Sequence, residues 1–170
     1  MNRRQLMLAS AAAFAIGWGG QPIHAEERID ASLVTAMPNA KITLQQALTA
    51  AAEHGQPISA KFEVEDGKLQ LSVYTAKEGR FSEALVDYVD GKLAKTEFIT
   101  DDDDLASAKA QSAAMAKAKI DLKTAADKAA GQNPGFRAIS VTPALKEGRA
   151  TATVGLLRGE EPKTVEQALD

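Results

Sequence analysis

The apolar residues of this chain change period as the sequence is read. Leu44, Ala47, Leu48 and Ala51 fall at i, i+3, i+4 and i+7, one apolar stripe of a helix. Thr43 stands at the N-cap position with Gln46 three residues on, the pattern of a capping box, and Gly55 and Pro57 end the run. The period then switches to two. Ile58, Ala60, Phe62 and Val64 alternate with polar residues, "EDG" at 65–67 turns the chain, and Leu69, Leu71, Val73 and Thr75 alternate again. This predicts a β-hairpin with one face on a core. A turn at "KEGR" (77–80) and two further strands around Asp90-Gly91 complete the expected unit.

The same grammar returns downstream. "ITLQQALTAAAEHGQPISAKFEV" from Ile42 is answered by "IDLKTAADKAAGQNPGFRAISVT" from Ile120. Asp121 takes the cap, and Leu122, Ala125, Ala126 and Ala129 repeat the helical spacing before Gly131 and Pro134. Phe136, Ala138 and Val141 begin a strand. "KEG" (146–148) turns it, Ala150, Ala152, Val154 and Leu156 follow, and "RGEEP" leads into "KTVEQALD". The helices are offset by 78 positions (120 − 42) and the hairpins by about 81, which is too long for a solenoid repeat and suggests duplicated units.

The expected fold class is therefore α+β: two tandem repeats, each a helix packed on an antiparallel β-meander of three to four strands. The expected boundaries are a loosely ordered lead-in at 26–41, a first repeat at 42–99, an acidic and alanine-rich helical linker at 100–119, and a second repeat at 120–170. The linker helix is expected from about Asp102 towards Lys117, capped at Thr100 and continuing or breaking before the next helix. Units this small are marginal alone, so packing between them is expected. The second copy has no counterpart of the strand at Lys92–Ile99. Its last strand thus ends either as an open edge or as one covered by the first repeat or blunted by Lys163, Glu166 and Asp170.

Charge and composition narrow the class. Residues 1–25 combine Arg3 and Arg4, an apolar run from Leu6 to Gly20, and a small residue at Ala25. That describes a secretory signal peptide cleaved after Ala25; the apolar run is short for a membrane anchor, which is the alternative. The paired arginines also resemble a twin-arginine signal, so two export routes stay open. Losing two arginines moves the net charge from −3 to −5. An acidic chain lacks the electrostatic footprint for nucleic acid or an anionic membrane. No later stretch is apolar enough to span a bilayer, so the mature protein is expected to be soluble, in the periplasm or outside the cell. With no cysteine, thiol chemistry, disulfides and thiolate metal sites are excluded.

The polar residues offer few candidates. His54, the one histidine after Ala25, lies at a helix end with no second ligand nearby in sequence. Asp101–Asp104 could attract calcium, but the run lacks the alternating ligands, glycine and terminal glutamate of a calcium loop, and helix capping fits better. Lys109, Lys117, Lys119, Lys123 and Lys128 could build a membrane-lying basic helix, but acids offset them. Glu63, Glu65, Glu78 and Glu83 sit in strands or turns beside lysines, and nothing in sequence marks two of them as a desolvated acid–base pair. No phosphate loop, nucleophile elbow or nucleotide fingerprint occurs, so no catalytic, metal or cofactor-binding residue is assigned.

"ITLQQALTAAAEH", "ISAKFEVEDGKLQLSVYT" and "EALVDYVDGKLAKTEF" resemble the PepSY family, and the segment from Ile120 resembles a more diverged second copy. The resemblance rests on apolar fold positions such as Leu44, Ala47, Leu71 and Val73, and no functional residue transfers with it. It implies a non-enzymatic cell-envelope module that binds a protein or peptide. Because related domains occur in propeptides of thermolysin-like metallopeptidases, it also implies peptidase restraint as one role. No peptidase domain accompanies these repeats, which argues against a propeptide. The alternative is a ligand-sensing or accessory subunit of an envelope transport, redox or signalling system, which requires a pocket between helix and sheet. An enzyme ranks last, since it needs a convergent polar cluster in a cleft.

Overall fold

The computed structural model describes residues 29–170, so the expected signal segment 1–25 lies outside the described residues. Its elements in chain order are α1 (Ala31–Ala36), a 3₁₀ turn (Met37–Asn39), α2 (Leu44–Ala51), β1 (Gln56–Glu65), β2 (Lys68–Lys77), β3 (Arg80–Val86), β4 (Leu93–Phe98), α3 (Asp102–Met115), α4 (Leu122–Gly131), β5 (Arg137–Lys146), β6 (Arg149–Arg158) and β7 (Glu161–Ala168). The class is α+β. All seven strands belong to one antiparallel sheet, in the order β4-β3-β2-β1-β5-β6-β7.

Local chemistry explains the elements. Thr43 Oγ1 accepts from Gln46 N at 3.2 Å while Gln46 Oε1 accepts from Thr43 N at 2.8 Å, which closes the capping box of α2. Asp121 caps α4 through Thr124 N at 2.7 Å. Both helices bury the stripe read from sequence. The tight hairpins turn on Asp66-Gly67, Glu78-Gly79 and Glu147-Gly148, each with both residues at positive φ. Such turns match the right-handed strand twist.

The two meanders are joined at β1 and β5. Ala60 pairs directly with Val141, and Lys61 with Ser140. Ala60 and Val141 are 81 positions apart (141 − 60), and other features recur at that interval. The pairing of β1 with β2 shifts register at Ile58, and that of β5 with β6 at Ile139. Both isoleucines are fully buried. The Tyr88 carbonyl accepts from Lys41 N (2.8 Å) and Ile42 N (3.2 Å); the Leu169 carbonyl accepts from Lys119 N (2.6 Å) and Ile120 N (3.2 Å). Pro143 falls in β5 beyond the short seam, where no β1 partner needs its missing N–H.

One face of the sheet, with Ala60, Phe62, Leu71, Val73, Val141, Val154 and Leu156, packs under α2 and α4, which also touch each other. One core therefore runs through both halves. Arg137 adds a cross-link: its guanidinium donates to the Ile42 carbonyl at 2.9 Å and lies over the Phe62 ring at 5.6 Å.

Two expectations change. From Ile29 onward the lead-in is not loosely ordered: Asp30 caps α1, and Leu33 and Met37 are buried in the common core. The edge of β7 is not covered by the first repeat, because β4 and β7 lie at opposite ends of the sheet. Among its residues Glu166 pairs with Lys146, and Pro162 and Lys163 are exposed near its start. The α3 helix stops at Met115 and does not run on into α4.

Candidate binding site on the polar face of the sheet

Strand alternation that buries Ala60 and Val73 turns Ser59, Lys61, Glu63, Gln70, Ser72 and Tyr74 to the opposite face, which β3 extends with Glu83. α3 crosses this face. Ser59 Oγ donates to Gln111 Oε1 at 2.9 Å, and Ala108, Ala114 and Met115 are the buried positions of the helix. Between the N-terminal half of α3 and strands β1 and β2 lies a cavity of about 220 Å³. Lys61, Tyr74, Asp104, Ser107 and Gln111 supply most of its polar wall.

Ser72 is fully buried at the sheet side of this region. Its Oγ lies 2.8 Å from Glu83 Oε1 and 3.1 Å from Glu63 Oε1, and Gln70 Nε2 donates to it at 3.2 Å. A hydroxyl has one proton to give, so the two carboxylates share it, and Gln70 Nε2 also donates to Glu83 Oε1 at 3.4 Å. Lys61 Nζ answers Glu63 Oε2 at 2.7 Å and stands 6.0 Å from the centroid of the Tyr74 ring. Burial first, and then Glu83, Glu63, Asp104 and Glu65, push the Tyr74 phenol far above its ordinary range, so it stays neutral. Burial, with Asp101 and Asp103 against the opposing Lys61, raises the Asp104 carboxyl. The ring is thus neutral, and the charged side chains that line the cavity are Lys61 and Asp104.

Sequence reasoning named Glu63, Glu65, Glu78 and Glu83. The fold brings Glu63 and Glu83 together at Ser72 and sets Glu65 near Tyr74, but leaves Glu78 exposed in a hairpin turn. Tyr74, Ser72 and Gln70 were not singled out, although their shared strand phase was readable. Asp101 caps α3 through Asp103 N at 3.0 Å, and Asp102–Asp104 occupy the first turn, so the cap is Asp101 and not Thr100. His54 is exposed after α2. The five lysines do not form one basic helix face: Lys109 is on α3, Lys117 and Lys119 follow it, and Lys123 and Lys128 are on α4, across the sheet. Lys123 is held by Asp127 at 2.8 Å.

A second hollow, about 260 Å³, lies where Leu48, Pro57, Met115 and Leu122 meet, and is mostly apolar. Among the described residues no group of three or more His, Cys, Asp or Glu is placed to hold a metal ion, and no helix is long and apolar enough to cross a membrane. No protein-family model matches this chain, and neither the curated proteins nor the solved structures hold a significant match to it.

Proposed function

We propose that this protein is an exported, non-enzymatic module of the cell envelope that binds a protein or peptide, with restraint of a peptidase as the version the PepSY resemblance favours. In this reading the chain is a tandem pair of PepSY-like units, secreted by its N-terminal signal into the periplasm or beyond. The recurrence of bulge, turn and carbonyl contacts at an interval of 81 positions supports the duplication.

The observation that carries the binding role is the polar sheet face. Lys61, Tyr74, Asp104, Ser107 and Gln111 line a cavity whose volume of about 220 Å³ is below the roughly 300–1,000 Å³ of a small-molecule site. A hollow of that size suits a side chain of a macromolecular partner better than a whole organic ligand. The accessory-subunit reading draws on the same cavity, since it lies between helix and sheet.

The test couples capture to inhibition. The protein is immobilised and exposed to envelope extract beside a variant with the cavity mouth filled, Ser107→Trp. A protein retained by the parent and lost from the variant supports binding through this face; if it is a peptidase, excess soluble protein should slow its turnover. Retention of a transporter, reductase or sensor component favours the accessory role. Equal retention on both columns moves the binding to another surface, and an empty parent column refutes a stable partner.

A further inference from the structure

We infer that the β4 edge of the sheet pairs with a second copy of this chain, the two β4 strands running antiparallel about a two-fold axis at Thr96, whether or not the cavity under α3 binds anything.

β4 ends the sheet, with β3 on one side and, among the described residues, no strand on the other. One bond fixes which of its backbone groups face out. Ile99 N donates to the Phe81 carbonyl at 3.0 Å. Phe98 then pairs with Ser82, Glu97 with Glu83, Thr96 with Ala84 and Lys95 with Leu85. In an antiparallel ladder, residues that bond to the neighbour alternate with residues that do not. Lys95, Glu97 and Ile99 therefore turn their backbone groups to β3, and Thr96 and Phe98 turn theirs outward. Such a row is a template for another strand.

Charge selects the strand. Outward groups bond only to outward groups, so a two-fold axis passes through a residue and not between two. An axis at Lys95 sets two lysines against each other, and an axis at Glu97 sets two glutamates. An axis at Thr96 lets the two threonines exchange both backbone bonds and puts each Lys95 opposite Glu97 of the other copy. Those are non-hydrogen-bonded positions, where side chains come closest. Lys95 and Glu97 already meet within the strand at 2.7 Å, so across the axis four charges alternate in sign. Positions 94 and 98 do not serve: the first lies at the register shift beside Lys95, and the second ends the strand. Phe98 is 62% exposed, more than any other large apolar side chain described, and the same register carries it towards Ala94 of the other copy.

The opposite edge lacks these features. Leu169 N donates to the Ala150 carbonyl at 3.0 Å, so Pro162, Thr164 and Glu166 hold the outward positions of β7. Pro162 has no N–H to offer. Lys163 would face an acid of β7 in a second copy, Glu161, only about an axis at that proline. The association is thus a closed, isologous dimer and not an open chain. A six-residue strand is well short of the roughly 20–30 residues a side of a stable interface, so the expected dissociation constant is about 10 μM to 1 mM.

Sedimentation equilibrium of the protein from about 10 μM to 2 mM should show a monomer–dimer equilibrium. Thr96→Pro removes the outward N–H and none of the bonds to β3; it should abolish the dimer and leave the circular dichroism unchanged. Lys95→Glu and Glu97→Lys alone should each weaken association about tenfold, since each places like charges across the axis twice. The double variant K95E/E97K should recover the dimer, and the two single variants mixed should form a heterodimer. Cross-strand Hα–Hα contacts between Lys95 and Glu97, seen by NMR in a mixture of labelled and unlabelled protein, confirm the register.

A protein monomeric at 2 mM overturns the inference. So does a dimer indifferent to all of these changes, a double variant that does not recover, or growth beyond the dimer. A monomer whose β4 amides shift only when envelope extract is added gives the edge to a strand of another protein and overturns self-pairing. Should Thr96→Pro fail to fold, the charge reversals decide alone.

Discussion

Gly155 is the position at which one added methyl group tests how tightly β5 and β6 pack side by side. It pairs with Ser140 across β5 and β6, on the face that α3 covers. A Cβ built there would stand 2.4 Å from Ser140 Oγ and 3.5 Å from Ile139 Cγ1. The first distance is too short for any carbon–oxygen contact, so Ser140, 5% exposed, must move within a packed layer. Overpacking of this kind costs about 1–3 kcal/mol. Alanine also restricts the unfolded chain, which returns about 0.4–1 kcal/mol. The balance for Gly155→Ala is a loss of about 1–2 kcal/mol, or a fall in Tm of roughly 2–8 °C for a chain of this size.

The assay is urea unfolding followed by circular dichroism, with thermal melts in parallel. Ser140→Ala in the Gly155→Ala background removes the clashing oxygen. The double variant should therefore be more stable than the sum of the single changes predicts, with coupling of 0.5 kcal/mol or more in magnitude. A Gly155→Ala protein as stable as the parent, or more stable, would refute the close packing of Gly155 on Ser140 between β6 and β5.

Three further predictions concern the helix caps and the common core. Thr43→Ala opens the capping box of α2 and should cost about 1 kcal/mol, read from the denaturation midpoint. Asp121→Ala should cost about the same at neutral pH. Because the backbone bond from Thr124 holds the Asp121 carboxyl below its ordinary value, its contribution is complete above about pH 4. It is lost as pH falls through the lowered folded value, so parent and variant should converge in acid. Leu44→Ala and Leu122→Ala, in different halves of one core, should each cost about 2–5 kcal/mol and lower one shared unfolding transition; two separate transitions in either variant would count against a single cooperative body.

Elements governed by neighbours in sequence were legible. The stripe of α2, its cap, the three Gly-containing hairpin turns and the strand phases all follow from local pattern. The helix α1 was missed because "ASLVTA" spans only six residues and shows no full stripe; its place is secured by burying Leu33 and by the following Met37. The seam between β1 and β5 was not legible either. It joins residues 81 and 79 positions apart through two pairs, Ala60 with Val141 and Lys61 with Ser140, and nothing in a strand's own alternation names its lateral neighbour. The candidate site depended on that seam and on α3. Glu63 and Glu83 were noticed as acids, but their convergence on Ser72 required the β1-β2-β3 register. α3 could be read as a helix from its alanines, whereas its orientation could not, because it lacks a continuous apolar stripe.

The position 81 before Gly155 is Tyr74 (155 − 74), and the two halves of the sheet differ there. In β6 the glycine lies close against Ser140 of β5. In β2 a tyrosine ring stands instead and lines the cavity under α3. The surrounding charges differ in the same sense. Glu63, Glu65 and Glu83 correspond at that interval to Ala144, Lys146 and Thr164, so the far half lacks both the tyrosine and these carboxylates. If a duplication produced the two halves, the apolar positions that hold the common core stayed alike while the polar face diverged. Replacing Tyr74 with glycine should remove the aromatic wall of the cavity and leave a folded protein, read from its circular dichroism and its melting curve. Loss of the fold would show instead that the tyrosine is a packing residue.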